Sequence, residues 1–196
     1  MLQRAATVVV CLATAGCGWM FPDDRDVPDA VREQFAQTAD MPGVPGEDCD
    51  ILLDQIRKVA SAPDPNGSDN EFSWWVAPTD SGGSWDLVFQ LDPDGKPVGG
   101  SGGGGGCVAV DENDEITWTG GGGSDSEVSH GGRVPEGSAS VRLYFEGHEA
   151  DPAIADVQGG GYYFVVLGES ACCEYSFPDT IEALDTDGGV IASTHP

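Results

Sequence analysis

The sequence predicts a mainly β protein, with one or two small antiparallel β-sandwich-like modules preceded by a short helical segment. Three observations predict it. Helical periodicity is confined to the stretch before residue 62. From residue 70 onward, short runs of aromatic and β-branched residues alternate with turns rich in Gly and Asp. No long run alternates strand with helix, as a parallel α/β sheet would require. At 196 residues the chain can form one domain or two small ones.

The first predicted helix covers residues 29–40, where Val31, Phe35 and Ala39 recur at four-residue intervals behind Pro28. Pro42, Gly43, Pro45 and Gly46 break it. A second helix is predicted over residues 48–61. Cys49, Leu52, Leu53, Ile56 and Ala60 make one apolar face there, with acids at the start and Arg57 and Lys58 near the end. Together these make a helical neck, residues 29–62. Strands follow at 72–77, 85–91, 107–110, 115–119, 140–146, 161–167, 180–184 and 189–193. Residues 99–106 and 120–123 are so rich in glycine that they read as loops. The strands divide into a first β region with Gly-rich loops, 68–133, and a second β module, 134–196. One internal echo links them: Leu91-Asp92-Pro93-Asp94-Gly95 recurs as Leu184-Asp185-Thr186-Asp187-Gly188. Asp-Gly is a strong hairpin signal, so the echo predicts similar turns in both regions.

The first residues carry information of a different kind. Arg4 precedes an apolar stretch at residues 5–13 that is too short to span a bilayer. Small residues then lead to Cys17. The arrangement resembles a bacterial lipoprotein signal, with Thr14 standing where such signals usually carry Leu. The resemblance implies a signal peptide at 1–16, lipid on Cys17, and a Pro- and Asp-rich lipidated tether at 17–28. It also implies residence at the extracytoplasmic face of a cell membrane, with the anchor as the membrane contact.

Composition narrows the partners. Loss of Arg4 with the signal leaves 7 basic against 34 acidic residues, a formal charge of −27. Nucleic acid is therefore not an expected partner, because phosphate binding needs clustered cations. An envelope protein or a glycan fits better. The acids read chiefly as a hydrated surface. The densest cluster, Asp111, Glu112, Asp114 and Glu115, is the candidate metal site, and calcium is the ion its oxygens would take. No cofactor is otherwise expected.

Outside the signal and Cys17, four cysteines remain: Cys49, Cys107, Cys172 and Cys173. An even set in an oxidising compartment predicts two disulfides. A bond between adjacent Cys172 and Cys173 would close a strained ring. In extended chain their side chains face opposite ways. One is thus expected to reach Cys49 and the other Cys107.

A second resemblance runs through the β regions. It is carried by His130-Gly131-Gly132-Arg133-Val134-Pro135-Glu136, by residues 140–143 and 161–166, and by the closing segment 184–192. These are similar to a family of uncharacterised secreted or membrane-anchored actinobacterial proteins. In that family a Trp-containing strand and a Gly-Gly-Gly-Cys segment precede a C-terminal β module that ends on Asp-x-Asp-Gly-x-Val. Trp74 or Trp75 and residues 104–107 match the first part, and the similarity covers roughly 70–194. The family usually has a Cys within the region matching 85–91, which this chain lacks. The resemblance then implies that Cys107 pairs with Cys49 or with the Cys172/Cys173 pair. It implies no catalytic residues.

Weak catalytic patterns are present. Residues 99–103 satisfy Gly-x-Ser-x-Gly around Ser101, but inside a glycine run, where composition alone produces it. The Gly run also lacks the Lys of a phosphate-binding loop. His130, His148 and His195 are scattered and read as loop residues. Trp74, Trp75, Trp85 and Trp118 fall on predicted strands, where they fill a core or, in the rival reading, line a glycan-binding face. The function expected is a cell-envelope lipoprotein serving as a non-catalytic interaction or structural module. The alternatives are a calcium- or glycan-binding surface lipoprotein and a secreted hydrolase with a triad hidden from sequence.

Overall fold

The computed structural model describes residues 27–41, 49–107, 116–122, 127–145, 152–168 and 177–196. Its helix α1 (Asp29–Ala39) forms where the four-residue spacing places it, starting behind Pro28. Val31 and Phe35 are fully buried, each contributing roughly 1.5–3 kcal/mol by burial. Strands β1 (Arg57–Pro63), β2 (Glu71–Pro78), β3 (Ser84–Leu91) and β4 (Pro97–Gly106) make an antiparallel meander in that order. The second sheet holds β5 (Thr119–Gly122), β6 (Val128–Arg133), β7 (Ser140–Tyr144), β8 (Ala153–Gln158), β9 (Tyr162–Leu167), β10 (Thr180–Leu184) and β11 (Val190–Thr194). Its order is β11-β10-β7-β8-β9-β6-β5, every pair antiparallel. The protein is thus mainly β and sandwich-like, with one α-helix among the described residues.

Three apolar clusters stack through the molecule. The outer one joins Val31 and Phe35 of α1 to Trp75, Ala77, Leu87 and Phe89 on the outer face of the first sheet. The middle one joins Phe72, Trp74, Val76 and Val88 on its inner face to Phe164 and Val166 of β9. The third lies within the second sheet, around the fully buried Tyr163, Leu143 and Ile181. It exists because that sheet bends at β8. The first part of β8 pairs with β7 through Ala153–Asp156, and its last two residues pair with β9. One strand thereby serves both halves, and β7 and β10 fold their apolar residues onto Tyr163.

The two regions share a core. Trp74 meets Tyr162 edge-on at 5.6 Å and stacks on Phe164 at 6.0 Å. The Gln158 side chain closes a two-way bond with the Ser61 backbone, 3.0 and 2.7 Å. Adjacent Trp74 and Trp75 thus occupy different cores, as strand alternation requires. Both are interior residues, 5% exposed.

Several expectations are corrected. Residues 57–61 belong to β1, and only a single 3-10 turn (Leu53–Gln55) is helical in the predicted second helix. A register shift between Lys58 and Ala60 lets Val59 and Ala60 both be buried, which mimics helical spacing. The glycine run at 99–106 is strand β4, and 120–122 lie in β5. Backbone pairing to β3 and β6 holds these segments extended without help from side chains. Of the strand expected at 115–119, residues 116–118 are non-strand chain and Thr119 begins β5, while residues 108–110 of the strand expected at 107–110 lie outside the described residues. Strand β4 belongs to the first sheet and β5 to the second. Strands β6 and β8 were not foreseen. The two Asp-Gly echoes do form matching hairpin turns, with Gly95 and Gly188 at φ 79° and 80°.

Cys49 and Cys107 are bonded to each other, with Cα atoms 5.7 Å apart. This corrects the expectation that each reaches one of Cys172 and Cys173, which lie outside the described residues. The bond ties the segment after α1 to the end of β4. Around it Asp50 and Asp80 exchange two hydrogen bonds of 3.0 Å, and Ser81 Oγ donates to the Cys107 carbonyl at 2.7 Å. With the two cysteines 58 positions apart, the loop-entropy estimate is roughly 4 kcal/mol of stabilisation. The Cys49→Ala/Cys107→Ala chain is expected to unfold at markedly lower denaturant, by about that amount in equilibrium unfolding. An unchanged midpoint would mean that the crosslink contributes nothing.

Candidate functional site

The middle core does not fill the whole space between the sheets. Where edge strand β4 approaches edge strand β5, a cavity of about 260 Å³ remains. Its walls are Trp74, Val88 and Phe164, and its rim is backbone: Gly102, Gly103 and Gly104 on one side, Gly120 and Gly131 on the other. Glycine is what keeps the space open. Opposite Leu87, β4 places two residues, Gly102 and Gly103, against one. A Cβ on Gly103 would lie 1.7 Å from the Asp86 carbonyl oxygen, so the bulge admits no side chain there. A Cβ on Gly131 would press on Trp74 and Phe164 at 3.0 and 3.2 Å.

Among the described residues one ionisable side chain lines this space, Asp86 of β3. It sits on the same face as Trp74 and Val88, half-buried. Its one hydrogen-bond partner among the described residues is the Trp74 indole, whose Nε1–H donates to Oδ2 at 3.1 Å. Burial pushes the carboxyl up to about 6, and the indole bond offsets this only in part. Asp64, on the neighbouring β1–β2 turn, shows the contrast. It accepts from Ser68, from the Asn66 backbone and from Gln90, and the Ser68 bond leads in holding it below its usual value despite burial. Asp64 is a saturated structural carboxylate. Asp86 has acceptor capacity left and a cavity in front of it.

The residues singled out by sequence fall elsewhere. Cys17, Asp111, Glu112, Asp114, Glu115, His148, Cys172 and Cys173 lie outside the described residues. Ser101 is in β4, paired with Val88 and followed by more strand, which is not a nucleophile elbow. His130 corrects the loop expectation: it is in β6, 1% exposed, its ring 5.5 Å from Phe145. It alternates with Ser129 and Gly131, so it faces the third core while they face the cavity. His195 is exposed, its Nδ1 3.0 Å from Thr180 Oγ1 and from the Asp179 carbonyl. Trp85 is half-buried against the outer core, and its indole N–H has no partner among the described residues. Trp118 is 37% exposed and meets Phe177 edge-on at 5.8 Å. Among the described residues no cluster of three His, Cys, Asp or Glu is arranged to hold a metal. Also among them, no helix is long and apolar enough to cross a membrane.

Asp86 escaped sequence reasoning because one Asp among 34 acids carries no signal of its own. The available clue was position: Asp86 interrupts the apolar run Trp85–Leu91 on the face that Val88 and Trp74 bury. The chain matches no family model, no curated protein and no solved structure.

Since the folded chain holds the Asp86 proton more tightly than the unfolded chain, stability falls as pH rises from about 4 to about 6. Asp86→Asn keeps the acceptor for Trp74 and removes the charge. It is expected to stabilise the protein at pH 7.5 by at most about 3 kcal/mol, less where solvent reaches the carboxyl, and by almost nothing at pH 4. Denaturant midpoints at the two pH values check this; a loss of stability at pH 7.5 would contradict it. Gly103→Ala is expected to destabilise at both.

Proposed function

We propose that the protein is a cell-envelope lipoprotein, anchored at the extracytoplasmic face through lipid on Cys17, and that it serves as a non-catalytic interaction or structural module. The observation that carries this reading is the Cys49–Cys107 disulfide. Such bonds belong to oxidising compartments. Paired with the signal-like residues before Cys17, it supports an exported chain. The surplus of acid supports a role in contact with water and charged partners rather than with nucleic acid.

A second reading, a ligand-binding surface lipoprotein, is favoured by the cavity at Asp86. The glycan form of that reading loses Trp74 and Trp75, which are interior, and keeps Trp118 with Phe177 as its exposed aromatic pair. The calcium form rests on Asp111, Glu112, Asp114 and Glu115. A hydrolase remains the third reading, and among the described residues no particular grouping favours it.

Detergent phase separation of membranes from a bacterial host that lipidates exported proteins tests the anchor. The wild-type chain is expected in the detergent phase, with a mature N-terminal peptide heavier by the lipid. Cys17→Ala is expected in the aqueous phase. Unaltered partitioning of that variant would remove the anchor from the proposal.

A further inference from the structure

We propose that the glycine-rimmed cavity between β4 and β5 is a binding site for a small organic cation carrying an ammonium group, with the Asp86 carboxylate as its counter-ion. The proposal rests on the ligand-binding reading and does not depend on the anchor.

The geometry carries it in three steps. First, the cavity holds a half-buried carboxylate that has a single hydrogen-bond partner among the described residues. Taking such an anion partly out of water costs stability, and a cation or further donors offset that cost. Asp86 is the only ionisable group among the described residues lining the space. Trp74 of β2, Val88 of β3, Gly102 to Gly104 of β4, Thr119 and Gly120 of β5, Ser129 and Gly131 of β6 and Phe164 of β9 are all uncharged. The lining itself supplies no countercharge. Second, the remaining lining suits an ammonium group on a short carbon stem. The aromatic walls of Trp74 and Phe164 accept its apolar part and favour positive charge nearby. The glycine backbones and the Thr119 and Ser129 positions line the rest of the space. The volume, about 260 Å³, limits the ligand to a few heavy atoms. Third, the acidic surplus of the whole chain raises the local concentration of cations at any opening.

Proton and ligand compete for the same oxygen atoms. With the carboxyl titrating at about 6, its ionised fraction falls about tenfold from pH 7 to pH 5, and affinity is expected to fall with it.

The position of Gly104 supplies a clean control. It pairs directly with Asp86, so a side chain there would point to the same face, and a Cβ at Gly104 meets nothing within 4 Å. Gly104→Val therefore puts carbon into the cavity without displacing a neighbour.

The test is calorimetry and indole N–H NMR on the full chain at low salt, with ethanolamine as probe and ethylene glycol as its neutral near-isostere. Ethanolamine is expected to bind saturably, between about 0.1 and 10 mM, the range open to so small a ligand, and to move the Trp74 indole resonance. Ethylene glycol is expected to do neither. Asp86→Asn is expected to lose at least tenfold in affinity, Gly104→Val to lose binding with its unfolding midpoint kept, and wild type to weaken about tenfold at pH 5. Equal binding of the glycol, undiminished binding by Asp86→Asn or Gly104→Val, or no saturation by about 50 mM would overturn the proposal. Competition from phosphatidylethanolamine vesicles would assign the ammonium to a lipid headgroup, and its absence to a free amine. If Cys17→Ala lost the membrane yet kept ethanolamine, the site would stand apart from the anchor.

Discussion

Strand β2 is buried on both faces, and the architecture depends on that. Its even-numbered residues Phe72, Trp74 and Val76 meet the second sheet. Its odd-numbered residues Ser73, Trp75 and Ala77 face α1 and the outer layer, with the Trp75 indole donating to Ser73 Oγ at 2.9 Å. A shift of one residue in its pairing would exchange the two sets and empty both cores. The register is held from each side, by β1 across Arg57↔Val76 and by β3 along the full length of the strand. The neighbouring layers take their position from it. The helix has a surface to cover because Trp75 and Phe89 stand on the outside, and β9 has a partner because Trp74 stands on the inside.

The cavity follows from the same alternation. Trp74 turns inward and carries its indole N–H to Asp86, and the strands that close the space there are nearly free of side chains. Two sheets held about 10 Å apart by large residues at one end must leave a gap where glycines replace them. Close packing elsewhere in the middle core makes that gap a local feature, with one ionisable group among the described residues lining it.

How much of this was legible in the sequence depended on whether side chains determine the backbone. The helix at 29–39 and the strands at 72–77, 85–91, 162–167 and 180–184 were legible, because apolar spacing and β-branched residues determine them. The glycine strands were not: β4 and β5 are extended because neighbouring strands pair with their backbones, and that information lies in β3 and β6. The segment at 48–61 misled for another reason. Its apolar residues serve the disulfide, a turn and a bulged strand in succession, and their sum imitates a helical stripe. His130 reads as a loop residue beside glycines, yet Gly131 makes room for Trp74 on one face while the imidazole is buried on the other. Asp86 and its cavity were invisible, because both depend on the meeting of β4 with β5 across the sheets.

The paired hairpins bear on how such a layered chain begins to fold. Asp92 Oδ1 accepts from the backbones of Asp94 and Lys96 at 3.0 and 2.8 Å, and Asp185 Oδ1 accepts from Asp187 and Gly189 at 2.9 and 2.7 Å. Each clasp reaches no further than four positions along the chain, so closing it sacrifices little freedom. The contacts between the layers, by contrast, join segments distant in the chain. Each sheet therefore owns a self-contained starting point, one carboxylate wide, written in the same few letters in both.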